Sequence, residues 1–251
     1  MALIKLTFML FYLALIGNSS ATYSQEQASE LLIVTEHYPP FQMQQNGHVI
    51  GTNTEIIRAA LALTPYRYSI NIYPWTQAYN IALKKTNTCI YAIARIPERE
   101  PLFQWTTSFS PHETRFIGLA ENTKIKINSI EDAKQYRVAV VKDDFTHQSL
   151  LNLGFIENKN LFVVKNSTSL LKLLLTRSYI DLILTDLTTL YYRAEIEKLN
   201  SNLFRKYIDL TKGPKKLYLA CSLNTSPKIV KSLSQAIDIT INENSSKTGQ
   251  P

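Results

Sequence analysis

From residue 30 to residue 241, short apolar runs alternate with stretches whose apolar side chains recur at helical spacing. That alternation predicts an α/β chain with mainly parallel sheets. Residues 30–35 read as a first strand, 54–63 as a helix capped by Thr52 or Asn53, and 67–72 as a second strand. Residues 75–85 follow as a helix begun after Pro74, and 89–93 as a buried strand, which completes one lobe's worth of strand–helix–strand units. Beyond the break at Phe109-Ser110-Pro111, residues 115–120 read as a crossover strand into a second set. There 129–135 is a short helix with Ser-x-x-Asp capping spacing, 137–141 a strand and 144–153 a helix. Residues 161–164, 167–176, 180–184 and 186–199 continue as strand, helix, strand, helix. Gly213-Pro214 interrupts the chain before a strand at 217–222 and a last helix at 226–241. The polar tail from Asn242 is expected to fray.

The N-terminus sets the expected compartment. Lys5 supplies a positive flank, residues 6–16 are almost entirely apolar, and Ser19-Ser20-Ala21 places small residues where a signal peptidase reads. Eleven residues fall short of the roughly 20 that a bilayer span needs. The expectation is therefore a signal peptide cleaved after Ala21, and a mature chain in the periplasm. No cysteine ends the apolar run, so no lipid anchor is expected. Removing residues 1–21 leaves 230 of the 251 residues and lowers the net charge from +7 to +6, a length that suits one large domain or two lobes.

Charge and motifs narrow the function by what they lack. No run of Lys and Arg exceeds two residues, so the positive balance gives no nucleic-acid footprint; a soluble basic surface, an anionic membrane or an acidic ligand accounts for it. The four histidines, at 37, 48, 112 and 147, are too scattered to suggest a metal site. Seven glycines form no phosphate loop, and no Gly-x-Ser-x-Gly turn occurs. No cofactor and no catalytic residue is assigned. Cys89 and Cys221 each lie in an apolar run, which leaves a disulfide and two buried thiols equally open.

The chemistry concentrates at Ala94-Arg95-Ile96-Pro97-Glu98-Arg99-Glu100, where Arg99 follows a buried strand and presents a planar fork suited to a carboxylate. Three further stretches join it: Thr35-Glu36-His37-Tyr38-Pro39-Pro40-Phe41, Tyr73-Pro74-Trp75, and Ile180-Asp181-Leu182-Ile183-Leu184-Thr185-Asp186. Tyr136-Arg137-Val138-Ala139-Val140-Val141 followed by Thr146 completes the series. In this order the motifs resemble family 3 of the bacterial extracellular solute-binding proteins.

The resemblance implies the type II periplasmic binding protein fold: two α/β lobes, 22–114 with the return segment 213–251 and 115–212, hinged over a ligand cleft. It implies a protein that captures an amino acid or related carboxylate by lobe closure and hands it to an inner-membrane ABC permease, as a monomer. By the same resemblance Tyr38 and Trp75 wall the cleft, Arg99 holds a carboxylate beside Ala94 and Arg95, Thr146 helps hold an anionic group, and Asp186 receives an ammonium. Two departures weaken an amino acid as the ligand. Ala94 stands where many of these binders carry a hydroxyl, and Lys142-Asp143-Asp144 replaces a glycine–hydroxyl pair. A sensor protein for a membrane receptor fits the same features. A periplasmic lyase or dehydratase is the third class, with Glu36, Glu55, Asp186 and His37 as its available acid–base groups.

Overall fold

The computed structural model describes residues 30–248, so the expected signal peptide lies outside the described residues. Among the described residues, twelve strands and seven α-helices alternate as the apolar pattern predicts. The first sheet has the order β4-β1-β5-β12-β6, from β1 (Leu31–Thr35), β4 (Tyr68–Ile72), β5 (Thr88–Ala94), β6 (Phe103–His112) and β12 (Lys215–Ser222). β1 pairs in parallel with β4 and β5, whereas β12 runs antiparallel to β5 and β6. The second sheet has the order β11-β7-β10-β8-β9, from β7 (Arg115–Leu119), β8 (Val138–Val141), β9 (Leu161–Val164), β10 (Leu182–Thr185) and β11 (Phe204–Asp209). A hairpin of β2 (Met43–Gln45) and β3 (His48–Ile50) stands apart from both. The chain passes from the first sheet to the second between His112 and Arg115 and returns between Asp209 and Lys215.

The central strands of each sheet, such as β5, β8 and β10, are buried on both faces, which is why they read as near-continuous apolar runs. On the first sheet, Leu31, Ile33, Cys89 and Tyr91 pack with helix α1 (Thr52–Ala62) and helix α7 (Pro227–Thr248) through Ile57, Leu61, Leu233 and Ile237. Val34, Ile90 and Ile93 face the other way, toward Trp75, Ala78 and Ala82 of helix α2 (Trp75–Lys84). The second sheet repeats the scheme. Val138, Val140, Leu182 and Leu184 meet Leu150 of helix α4 (Phe145–Asn152) and Ala133 of the short helix α3 (Ile130–Ala133). Ala139, Val141 and Ile183 meet helix α5 (Thr168–Thr176) and helix α6 (Leu187–Ile196).

One irregularity in β5 aims the site. The register to β12 steps from Leu219 opposite Tyr91 to Tyr218 opposite Ile93, so Ala92 is an extra residue, held at φ 61°. An extra residue shifts the two-residue alternation by one. Cys89, Tyr91 and Ala94 consequently share one face, and Ile90 and Ile93 the other. The question the sequence leaves open about the cysteines is settled here: Cys89 lies opposite Cys221 in the β5–β12 register, and the two form a disulfide.

Three expectations need correction. The strand Phe103–His112 runs through the break read at Phe109-Ser110-Pro111, and Phe204–Asp209, to which the pattern assigns no element, is a strand. Helix α7 runs on to Thr248 instead of fraying at Asn242. The capping expectation is partly met: Ser129 and Asp132 form the capping box at α3, but the N-cap position of α1 is Gly51, ahead of the expected Thr52 or Asn53 and without a side-chain cap bond.

Candidate functional site

The carboxyl ends of parallel strands leave unpaired backbone groups and open space, the usual place for a ligand in an open α/β sheet. Here the ends of β1 and β5 from the first sheet face the ends of β8 and β10 from the second. Between them is a cavity of about 60 Å³, walled on one side by Glu36, Tyr38, Trp75, Ala94 and Arg99 and on the other by Asp144, Phe145 and Thr146. Gln42 and Asn53, both buried, close its floor, with the Asn53 side-chain amide donating to Gln42 Oε1 at 3.1 Å.

The lobes are closed and bonded to each other across this cavity. Trp75 Nε1 donates to the Asp143 carbonyl at 2.7 Å, and Arg99 Nη2 donates to the same oxygen at 3.0 Å. Thr76 Oγ1 donates to Asp143 Oδ2 at 3.0 Å. On the far side of the cleft the Tyr38 hydroxyl lies 3.3 Å from Thr185 Oγ1 and accepts from the Asp186 amide at 3.4 Å, while Ser167 Oγ donates to the His37 carbonyl at 2.9 Å. Asp143 sits at φ 61°, a left-handed conformation that Asp tolerates better than most residues and that turns its carbonyl toward the opposite lobe. The buried His147 supports the turn, accepting the Asp143 amide on Nδ1 and meeting Glu157 through Nε2 at 2.9 Å.

Electrostatics sets the character of the cavity. Arg99 is 3 % exposed, its guanidinium 5.1 Å from the Trp75 ring centre and 5.4 Å from that of Tyr79. Its Nη1 donates to the Ala94 carbonyl at 3.2 Å. Asp144 caps α4: its Oδ1 accepts from the His147 amide and the Thr146 hydroxyl, each at 2.7 Å. Burial nevertheless holds the Asp144 carboxyl above its ordinary range, against those bonds and Arg99. Burial and then the neighbouring Asp144 charge push the Glu36 carboxyl up to about 8, against the pull of Arg193 and Arg99. Glu36 keeps some accessible surface, but it lines the cavity, so that surface does not give its carboxyl bulk hydration. His112, edge-on to Tyr38, is held below the ordinary imidazole range by burial, opposed by Asp186.

Of the residues singled out from the sequence, Tyr38, Trp75, Ala94, Arg99 and Thr146 are brought together around the cavity. Arg95 is not: it follows Ala94, whose side chain points inward, and so points outward, ion-paired to Glu100 beside the Trp105 and Tyr218 rings. Asp186 also lies off the cavity. Its Oδ1 caps α6 by accepting the Thr189 amide at 2.8 Å, and its Oδ2 is buried with no hydrogen-bond partner among the described residues. Sequence reading had no long-range signal for Gln42, Asn53, His112 and Phe145. For Glu36 and Asp144 a signal exists, since Glu36 directly follows β1 and Asp144 stands three residues beyond β8 as the cap of α4. Glu55 is exposed beside Arg58, and His37 faces a second cavity bounded by Met43, Tyr192 and Arg193. Among the described residues no group of three or more His, Cys, Asp or Glu is placed to hold a metal ion, and no helix is long and apolar enough to cross a membrane.

No protein-family model matches the sequence, and no curated protein matches it. Solved structures do match in fold. A histidine kinase sensor domain with similarity to periplasmic binding proteins superposes with TM-score 0.78 at 15 % identity, covering 89 % of this chain and 95 % of that one. The arginine-, lysine-, histidine-binding protein ArtJ from the thermophilic bacterium Geobacillus stearothermophilus gives TM-score 0.73 at 13 % identity, covering 86 % and 91 %. Holo ArgBP from T. maritima gives 0.68 at 12 %, covering 84 % and 89 %. At these identities the likeness concerns the fold, and the fold is that of the type II periplasmic binding proteins.

Proposed function

We propose that this chain is a periplasmic solute-binding protein of extracellular solute-binding family 3, which captures a small polar solute between two closing lobes and delivers it to an inner-membrane ABC permease. The observation that carries the reading is the cavity at the facing strand ends, walled by residues from both lobes and bridged by Trp75, Arg99 and Tyr38. Such an arrangement couples ligand burial to lobe closure, and closure presents a surface that the open form lacks. Neighbours in fold that bind arginine support it. In this reading residues 1–21 are a cleaved signal peptide, 22–114 and 213–251 form one lobe and 115–212 the other. Tyr38, Trp75, Ala94, Arg99 and Thr146 contact the solute, and Asp186 acts from behind by fixing α6 and Tyr38. Recognition, without turnover or cofactor, is the whole chemistry.

A sensor role is the second reading, favoured by the likeness to a histidine kinase sensor domain. Both readings require a solute. A ligand that binds only the folded state stabilises it by about 2.7 kcal/mol at a hundred times its Kd. A thermal-shift screen against amino acids, amines, organic acids, sugars and small peptides is therefore expected to give a saturable rise for one chemical group. No rise for any of them would overturn both readings. Crosslinking in a cell envelope then separates the two by whether a permease or a receptor is trapped.

A further inference from the structure

The charged groups of the cavity that remain open to a ligand are acidic. Arg99 is the one guanidinium among its lining residues, and the protein already engages it: its two terminal nitrogens donate to the Ala94 and Asp143 carbonyls, and the Trp75 and Tyr79 rings, 5.9 Å apart, lie against it. Where a ligand carboxylate would bridge Arg99 to the second lobe, the Asp143 carbonyl does so itself. By contrast, both oxygens of Glu36 and Oδ2 of Asp144 receive no hydrogen bond from the described residues, although both side chains line the cavity. They are close enough that the charge of one raises the carboxyl of the other. Two carboxyl groups in such a cleft do not both ionise unaided, and they are satisfied by a cation that donates to both and lets Glu36 release its proton. Trp75 and Tyr38 add ring faces, which attract organic cations.

We propose that the solute is a small organic cation without a carboxylate, an amine of the kind left when an amino acid loses its carboxyl group. Its ammonium lies between Glu36 and Asp144, and its carbon chain runs against Trp75 and Tyr38. This inference rests on the solute-binding reading above and deepens it.

The test is calorimetric titration of the purified chain with matched pairs: 1,4-diaminobutane against ornithine, 1,5-diaminopentane against lysine, and agmatine against arginine. One amine is expected to bind saturably and at least tenfold more tightly than its amino acid. Glu36→Gln and Asp144→Asn, which keep shape and, at 144, the helix cap, are expected to lower that affinity tenfold or more, with Glu55→Gln on the exposed face of α1 leaving it unchanged. An amino acid that binds as tightly as its amine would overturn the cation assignment and leave the solute-binding reading standing. Unchanged amine affinity in folded Glu36→Gln would overturn the seat. If no pair binds, the inference falls; the solute-binding reading falls with it only if the wider thermal-shift screen is also silent.

Discussion

Arg99 Nη2 donates to the Asp143 carbonyl oxygen at 3.0 Å, so a guanidinium of one lobe is bonded to the backbone of the other across the cleft. A hydrogen bond from a charged donor contributes about 1.5–3 kcal/mol, and a buried acceptor left bare costs about 1–3 kcal/mol. Arg99→Ala removes the bond, leaves the Asp143 carbonyl to Trp75 Nε1 alone and takes the guanidinium donor from the Ala94 carbonyl. The expected outcome is a larger radius of gyration by solution X-ray scattering and a solute affinity about tenfold to a hundredfold weaker. Arg99→Lys keeps the charge but loses the planar fork and should fall between the two. A variant as compact and as tight-binding as the parent would remove Arg99 from both roles.

The Glu36 carboxyl gives a pH dependence of definite sign. Its value in the folded chain, about 8, lies above the ordinary 4.5, because burial and Asp144 outweigh Arg193 and Arg99. The folded state therefore binds more protons than the unfolded state across that window. The stability this contributes is fully present below pH 4.5 and is lost as the pH rises through about 8. Glu36→Gln, neutral at every pH, should show a flatter fall of Tm between those limits and melt above the parent at the alkaline end. Parallel melting profiles for parent and variant by circular dichroism would refute the assignment.

Local pattern revealed what local pattern controls. The apolar run Leu161–Val164 forms a strand with the expected bounds, and Ser129 with Asp132 caps α3 as their spacing predicts. β6 escaped because two register shifts against β12 break its alternation, leaving buried residues every third position rather than every second. β11 escaped for a different reason: it is an edge strand, and edges carry polar side chains such as Arg205 and Lys206. In the site, Trp75 and Arg99 were legible from motif order, and Asp144 was legible only as a helix cap. That Asp144 also faces Glu36 depends on lobe closure, a relationship between residues far apart in sequence. Arg95 shows the complementary limit, since the bulge at Ala92 decides which of two adjacent residues points inward.

The disulfide joins Cys89 in the first half of its lobe to Cys221 in the return segment, 132 residues later, across the whole second sheet. A crosslink closing so long a loop restricts the unfolded chain most, and losing a native one typically costs about 2–5 kcal/mol. Both cysteines are fully buried in the core between the first sheet, α1 and α7. The Cys89→Ala, Cys221→Ala double variant should therefore fold with its urea midpoint lowered by that free energy divided by the denaturant slope m. A midpoint equal to the parent's would mean that the bond adds nothing to stability.

Gly51 is the position where backbone conformation and site geometry meet. Its φ is 120°, in a region that side chains rarely adopt, and a Cβ there would lie 2.5 Å from the Phe41 carbonyl oxygen and 2.6 Å from that of Pro40. Those carbonyls cannot withdraw freely, because they accept the amides that begin α1: Thr52 donates to Pro40, and Asn53 to Phe41. The turn they hold carries Tyr38 at its start and Gln42 at its end, both lining the cavity. Gly51→Ala should thus act twice. Strain of about 1–3 kcal/mol from the backbone alone, with the steric clash added, should lower Tm by several degrees. Displacement of Tyr38 and Gln42 should weaken solute binding beyond what the lost stability explains. Measured together, a fall in Tm with unchanged affinity at a temperature where the variant is folded would show that the turn is a structural support, uncoupled from the cavity.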